Sequence, residues 1–391
     1  MTRPLRIGID LTARLPLVTG VDTYLENLVT ALGQVDGDNR YTVWVNLEDR
    51  AFFSGRLPSN FRVVARCLRP RPFRLLFQQV GIPSLALLGR LDVVHSPSFI
   101  MPMVRGPQRH LLTVYDMTSF SRPECHVALR RSKLYRWAIL ESLRRAHMVS
   151  VPSCSTRDQV LHHVPGLERD KLRVVVPGVD PVFTPRPGDE VRAVRRKLGI
   201  DGAYVLYLGT LEPRKNLPRL VEAFSRLVQG NERDEQLVLA GVLGWDSGPL
   251  LNAIEESGVS RRVRRLGYVA SGDLPGLLTG ADLFVYPSLE EGFGFPPLEA
   301  MACGTPTVAS DTTSLVENLR GAAELAPPTD VAALAAAMER MLTDQGLRER
   351  RRRQGLECAA RFRWSNTAEE TVACYRDLAE ETDSPSQETP V

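Results

Sequence analysis

Two glutamates eight positions apart bracket the segment Glu291-Gly-Phe-Gly-Phe-Pro-Pro-Leu-Glu299. A loop with two glycines opening onto a helix start offers backbone N–H donors and the positive end of a helix dipole, which suits an anion such as a phosphate. Carboxylates on either side accept hydrogen bonds from hydroxyls. Phosphate and polyhydroxyl recognition within so short a stretch points to a sugar nucleotide. A second segment, Gly209-Thr-Leu-Glu-Pro-Arg-Lys-Asn216, follows a strand-like run from Tyr204 to Leu208. Adjacent cations at the carboxyl end of a strand, here Arg214 and Lys215, clamp a diphosphate through charge-assisted hydrogen bonds. Asn216 is placed as the N-cap of the next helix. Glu290 is expected to point away from Glu291, since it lies where a strand gives way to a loop.

The elements that must hold these residues alternate. In the first half the strand expectations are Arg6–Asp10, Tyr41–Val45, Val63–Arg66, Val93–His95, His110–Val114, Met148–Val151 and Leu172–Val176. In the second half they are Tyr204–Leu208, Gln236–Ala240, Val263–Leu266, Leu283–Tyr286 and Pro306–Val308. Helical patterns intervene, among them Val21–Leu32, Leu129–Arg145, Leu217–Leu227, Pro296–Cys303 and Val331–Leu342. Strand–helix alternation implies parallel sheets covered by helices, and two such series imply two Rossmann-like domains. The break falls in Pro177–Pro187, where four prolines in eleven residues exclude regular structure. Ligands of open α/β sheets bind beyond the carboxyl ends of the strands, so two facing sheets place the site in a deep cleft between domains.

With 391 residues the chain exceeds one ordinary core. Its composition, 43% hydrophobic and 24% charged, is that of a globular protein. No apolar run approaches the roughly 20 residues of a membrane-spanning helix. The N-terminus runs directly into a strand and reads without a leader peptide. Six scattered cysteines form no C-x-x-C pair or metal spacing and read as reduced thiols. Charge is uneven: residues 1–180 carry 25 Lys+Arg against 15 Asp+Glu, and residues 181–391 carry 24 against 31. The basic, amphipathic stretch 128–145, with Arg66, Arg69, Arg71 and Arg74 beside Phe73 to Phe77, suggests docking on anionic lipid headgroups through 66–77 and 128–145. A helix with one core face and one solvated basic face reads the same way.

These motifs resemble the family 4 retaining glycosyltransferases of bacterial cell-surface polysaccharide type, with the GT-B fold. The family's E-x7-E matches Glu291 and Glu299. Its phosphate-clamp segment matches Gly209 to Asn216, and further matches are Val176–Asp180, Leu266–Val269, Gly304–Val308 and Gly20–Tyr24. The resemblance extends to about Leu378. It implies a first domain, 1–180, for the acceptor; a second, 188–360, for the donor; a helix, 361–380, returning to the first domain; and a disordered tail, 381–391. By the same resemblance Arg214 and Lys215 hold the donor diphosphate, and Glu299 binds the ribose. Glu291 contacts the transferred sugar with the amides of Phe293, Gly294 and Phe295. Tyr268 and Val269 lie near the nucleobase, Gly209 belongs to the clamp, and Gly20 lets the backbone approach the phosphate.

The implied reaction is transfer of a hexose, mannose from GDP-mannose first, to a hydroxyl of a glycan or lipid-linked acceptor. Configuration is retained, with no metal, no other cofactor and no nucleic acid, in the cytoplasm or at the inner face of the membrane. One position departs from the family. Tyr115 stands where histidine is usual in Thr113-Val-Tyr-Asp-Met117, which leaves Asp116 as the acidic candidate or as a structural carboxylate. Asp36-Gly-Asp38, formally a metal-type D-x-D, reads as a turn. A nucleotide-dependent oxidoreductase is disfavoured because no G-x-G-x-x-G follows either first strand. A sugar-nucleotide epimerase of similar architecture and a non-catalytic carbohydrate-binding protein are the remaining alternatives.

Overall fold

The structure, a computed structural model, describes residues 3–14, 20–69, 71–104, 106–125, 133–229 and 233–383. The tail expected from residue 381 is corrected at its start, where the last helix continues to Asp383; the rest of the tail and the start of the basic stretch, 128–132, lie outside the described residues. Two compact units divide the chain. One comprises Met1–Phe120, Arg131–Gly178 and Arg363–Val391; the other comprises Ser121–Arg130 and Val179–Phe362.

The first unit is built on a seven-stranded parallel sheet of order β3-β2-β1-β4-β5-β6-β7. Its strands are β1 (Arg6–Asp10), β2 (Arg40–Asn46), β3 (Phe61–Arg66), β4 (Val93–Ser96), β5 (Arg109–Thr113), β6 (Met148–Val151) and β7 (Leu172–Val174). The second unit holds a six-stranded sheet of order β10-β9-β8-β11-β12-β13. Its strands are β8 (Tyr204–Leu208), β9 (Gln236–Ala240), β10 (Val263–Gly267), β11 (Leu283–Tyr286), β12 (Thr307–Ser310) and β13 (Glu324–Ala326). Central strands such as β8 and β11 are unbroken apolar runs because helices bury both faces of the sheet. Edge strand β10 carries Arg264 and Arg265 outward. The helix Leu217–Gln229 shows the complementary pattern, burying Leu217, Leu220, Val221, Phe224, Leu227 and Val228 at helical spacing.

Both strand orders reverse direction once, between β1 and β4 and between β8 and β11. Such reversals send successive helices to opposite faces and open a crevice at the carboxyl ends of the two strands. The two motif loops of the second unit follow β8 and β11, so they flank its crevice.

The last helix, Trp364–Asp383, belongs to the first unit. The Tyr375 hydroxyl lies 2.8 Å from His95 Nδ1 on β4, Thr367 Oγ1 donates to the Val176 carbonyl at 2.7 Å, and Trp364 meets Tyr24 edge-on. The described part of the Ser121–Arg130 segment, by contrast, is fastened to the second unit. The Ser121 hydroxyl donates to Glu290, and Trp245 Nε1 donates to the Cys125 carbonyl. Asp36 does what a turn residue should: its carboxylate accepts from the amides of Asp38 and Asn39, from the Asn39 side chain and from the Tyr41 hydroxyl.

Candidate active site

The loop after β8 begins at Gly209, whose amide donates to the Ala240 carbonyl at 2.9 Å. Across from it a Cβ on Gly241 would lie 2.0 Å from the Gly209 oxygen, so only glycine lets these two loops touch. A 3₁₀ turn, Pro213–Lys215, then lifts Arg214 and Lys215 from the sheet end. Asn216 corrects the expectation of an N-cap. Its backbone is left-handed (φ 59°, ψ 31°), not the extended conformation of a cap. Its side chain ties loops together instead, donating to the carbonyls of Pro287 and Pro328 and accepting from Arg219.

The structure brings Arg214, Lys215 and Glu291 into one buried cluster. Lys215 Nζ lies 2.6 Å from one oxygen of Glu291, and Arg214 Nη1 lies 2.8 Å from the other. Lys215 also donates to the Tyr286 hydroxyl at 2.8 Å, and Arg214 pairs with Glu212 at 2.9 Å and with the Glu290 carbonyl at 2.7 Å. Burial by itself would raise the Glu291 carboxyl, but the two cations outweigh it and hold the group down at about 2. The Lys215 ammonium is pushed below its ordinary value by burial and by Arg214, with Glu291 opposing. Two cations and the two carboxylates of Glu212 and Glu291 therefore share one desolvated pocket at the switch crevice.

Glu299 stands apart from that cluster. It lies on the helix Phe295–Ala302. Burial, with a smaller push from Asp180, raises its carboxyl to about 8. Two carboxylates of one motif thus have opposite electrostatic character. Tyr268 is largely exposed and Val269 buried at the end of β10, and Phe293 packs edge-on against Phe295. Glu290 does point elsewhere, accepting from Ser121 and facing Arg122 at 3.4 Å.

Gly294 precedes the helix with φ 93°, and no side chain caps that terminus. Pro296 and Pro297 remove two of the N–H groups a first turn normally presents. A Cβ on Gly294 would also come within 2.6 Å of Leu315 Cδ2. Gly294→Ala is accordingly expected to cost about 1–3 kcal/mol of stability. Urea unfolding measures it, and a loss below about 0.5 kcal/mol would contradict the strain argument.

Residues that sequence reasoning left unassigned hold the loop in place. The Glu291 amide donates to Thr313 Oγ1, Ser314 Oγ donates to the Glu291 carbonyl, and Asn318 Nδ2 donates to the Phe293 carbonyl. All three lie in the helix after β12, beside the crevice. A hydroxyl-rich run, Thr312-Thr-Ser314, shortly after a strand is the sequence signal for two of them, Thr313 and Ser314.

Residues 18–183 match the family model described as Glycosyltransferase Family 4, and residues 190–357 match Glycosyl transferases group 1. The O-antigen chain mannosyltransferase B of Escherichia coli is 34% identical over 287 residues, which cover 73% of this chain and 74% of that relative. The chain is a family 4 glycosyltransferase. The serotype-specific mannosyltransferase WbdA of Escherichia coli is 26% identical over 359 residues, 88% of this chain but 43% of WbdA. Among solved structures, Anabaena Alr3699/HepE in complex with UDP and glucose superposes with a TM-score of 0.75 at 18% identity, covering 95% of this chain and 100% of that one. The shared fold is GT-B.

Two of the glycosyltransferase's expected site residues belong to the first unit. Gly20 opens the helix Gly20–Val35, and residues 15–19 before it lie outside the described residues. Asp116 accepts from the Thr118 amide at 2.9 Å and hydroxyl at 2.6 Å, the pattern of a side chain starting a short helix. Tyr115 is buried, and its hydroxyl donates to the Pro97 carbonyl at 2.7 Å. Its phenol is engaged in packing the first unit and is held well above its ordinary value by burial.

Proposed function

We propose that this glycosyltransferase transfers a hexose, mannose first among candidates, from a nucleotide-diphospho-sugar to a hydroxyl of a glycan or lipid-linked acceptor in cell-envelope polysaccharide synthesis. The observation that carries the reading is the buried Arg214–Lys215–Glu291 cluster at the β8/β11 switch crevice. The mannosyl and envelope assignments are supported by what the two Escherichia coli relatives are named for. GDP-mannose is the first donor to test, followed by UDP- and dTDP-sugars. The setting in this reading is the cytoplasm or the inner face of the membrane.

The barrier in glycosyl transfer lies in departure of the diphosphate as oxocarbenium character develops at the sugar. Cations fixed in a desolvated crevice stabilise charge there far more than they would in water. Arg214 and Lys215 supply that charge, so the reaction needs no metal in this reading. Steady-state rates unchanged by EDTA are the corresponding result. A carboxylate held near 2 is a poor general base at neutral pH, which argues against Glu291 taking the acceptor's proton. With both its oxygens engaged by cations, it is also poorly disposed as a nucleophile. Retention then follows from same-face attack, the acceptor proton passing to a donor phosphate oxygen. Glu299 accepts from the ribose hydroxyls and Glu291 from the sugar.

Glu291→Gln discriminates. Slow residual transfer with an unchanged anomeric configuration is expected. A trapped glycosyl-enzyme on the wild-type glutamate, found by mass spectrometry, would sink the assignment.

A further inference from the structure

The loop that follows β9 in the second unit, Gly241-Val-Leu-Gly-Trp-Asp-Ser247, is tied down along its length. The Leu211 amide donates to the Val242 carbonyl at 2.9 Å, the Gly244 amide donates to the Leu211 carbonyl at 3.0 Å, and Leu211 and Leu243 form a parallel bridge. A Cβ on Gly244 would lie 2.9 Å from Thr210 Cγ2 and 3.1 Å from Glu212 Cβ, so glycine sets how closely this loop meets the clamp loop. Trp245 is anchored by its polar edge, Nε1 donating to the Cys125 carbonyl. Held this firmly, the loop nonetheless exposes Val242, Leu243 and Trp245, the last to 42%. Grouped exposed apolar side chains mark an interaction site.

Asp246 follows with a left-handed backbone (φ 50°), a conformation that aspartate tolerates, and turns the chain from the tryptophan into the wall of a cavity. The cavity holds about 150 Å³ and lies at the starts of the helices Leu217–Gln229 and Gly248–Glu256. Leu211, Leu217 and Leu289 give it apolar walls, and Glu212, Asp246 and Arg219 supply polar groups. Two carboxylates against one guanidinium do not suit an anion. Nor do the helix starts, where Pro218 and Pro249 remove N–H groups. Hydroxyls, which both donate and accept, do fit. The cavity also adjoins the Arg214–Lys215–Glu291 cluster: Glu212 pairs with Arg214 at 2.9 Å, and the Leu289 amide donates to the Arg214 carbonyl at 2.9 Å.

We propose that Trp245 and this cavity form a subsite for a pyranose ring of the acceptor glycan. A pyranose presents an apolar C–H face and a rim of hydroxyls. An anchored indole with open surface takes the first, and carboxylates set among apolar walls take the second. The inference rests on the glycan acceptor of the proposed function and adds where part of that acceptor binds. It gives the second unit, expected on sequence to serve the donor, a share of the acceptor as well. A nucleobase is also flat and apolar, so the test is run with the nucleotide site filled.

The test is binding of α-mannotriose and, separately, of maltotriose to the full chain, followed by saturation-transfer NMR and calorimetry in the presence of GDP or UDP. One of them, mannotriose first, is expected to bind alongside the nucleotide. Trp245→Ala should weaken binding about tenfold or more, whereas Trp245→Phe, which keeps a ring but gives up the bond to Cys125, should stay within about threefold of wild type. Asp246→Asn suits the same backbone and should weaken binding about threefold or more. All three variants should keep the wild-type rise in melting temperature on adding nucleoside diphosphate. A wild-type protein without that rise would count against the proposed function and not against the subsite. The subsite is overturned if neither trisaccharide binds, or if the Trp245→Ala and Asp246→Asn variants bind like wild type. It is overturned too if Trp245→Phe loses as much as the alanine variant, which would make the residue a structural tie to Cys125. Displacement of the sugar by nucleotide, or a nucleotide response abolished by Trp245→Ala alone, would assign the surface to the nucleobase instead.

Discussion

Replacing Lys215 by alanine is expected to lower kcat by about 10²–10³-fold, the usual effect of removing one preorganised group that stabilises transition-state charge. The same side chain also balances Glu291 in the resting enzyme, at 2.6 Å and with both groups buried. Removing one partner of a buried ion pair costs about 3–5 kcal/mol when the other is left alone. Here Arg214 remains 2.8 Å from the second oxygen, so the loss should sit at or below the bottom of that range. Arg214→Ala should behave similarly. Because both cations answer to one carboxylate, the double variant should lose less than the product of the two single losses. Steady-state kinetics on the three variants, with urea unfolding in parallel, separates catalysis from stability. A Lys215→Ala enzyme retaining kcat within about threefold of wild type would remove this residue from the mechanism.

Glu299 predicts a pH dependence of opposite sign to that of Glu291. Its carboxyl is raised from an ordinary value of 4.5 to about 8 by burial and by Asp180. Folding therefore holds a proton that the unfolded chain has already released. Stability contributed by the neutral form is complete below pH 4.5 and declines as pH rises toward 8. If ribose hydroxyls donate to this carboxyl, the ionised form binds the donor. Nucleotide affinity should then rise with pH, by about 50-fold from pH 6 to pH 8, and level off above that. Calorimetry in buffers of different ionisation enthalpy should register a proton released on binding. Glu299→Gln should flatten both dependences. Affinity that is constant or falls over this range would mean that the neutral acid donates to the nucleotide, reversing the proposed role.

Much of the second unit was legible in the sequence because its strands are buried on both faces. Tyr204–Leu208, Gln236–Ala240 and Leu283–Tyr286 have the same limits in sequence and structure and are apolar throughout but for Gln236. Strand β13 escaped notice because Glu-Leu-Ala lacks β-branched residues and is only three residues long. Asn216 was misplaced for a different reason. Its residue type favours a cap, but two distant carbonyls, of Pro287 and Pro328, draw its side chain elsewhere and a left-handed backbone delivers it. The segment 66–77 reads in the sequence only as basic and apolar, since residue type does not say which face will be covered.

By itself the sequence determined the chemical kinds at the site: two cations after one strand, and two carboxylates around a glycine loop after another. Spacing along the chain is enough for that, because strand–loop–helix units set out their functional residues locally. Only the tertiary structure decided which of these groups meet. Adjacency of β8 and β11 brings Arg214 and Lys215 to Glu291 across 76 positions of sequence. It leaves Glu299 in an apolar setting beside Asp180. Desolvation and charge pairing depend on three-dimensional distance, so one E-x7-E motif carries a carboxyl near 2 and another near 8.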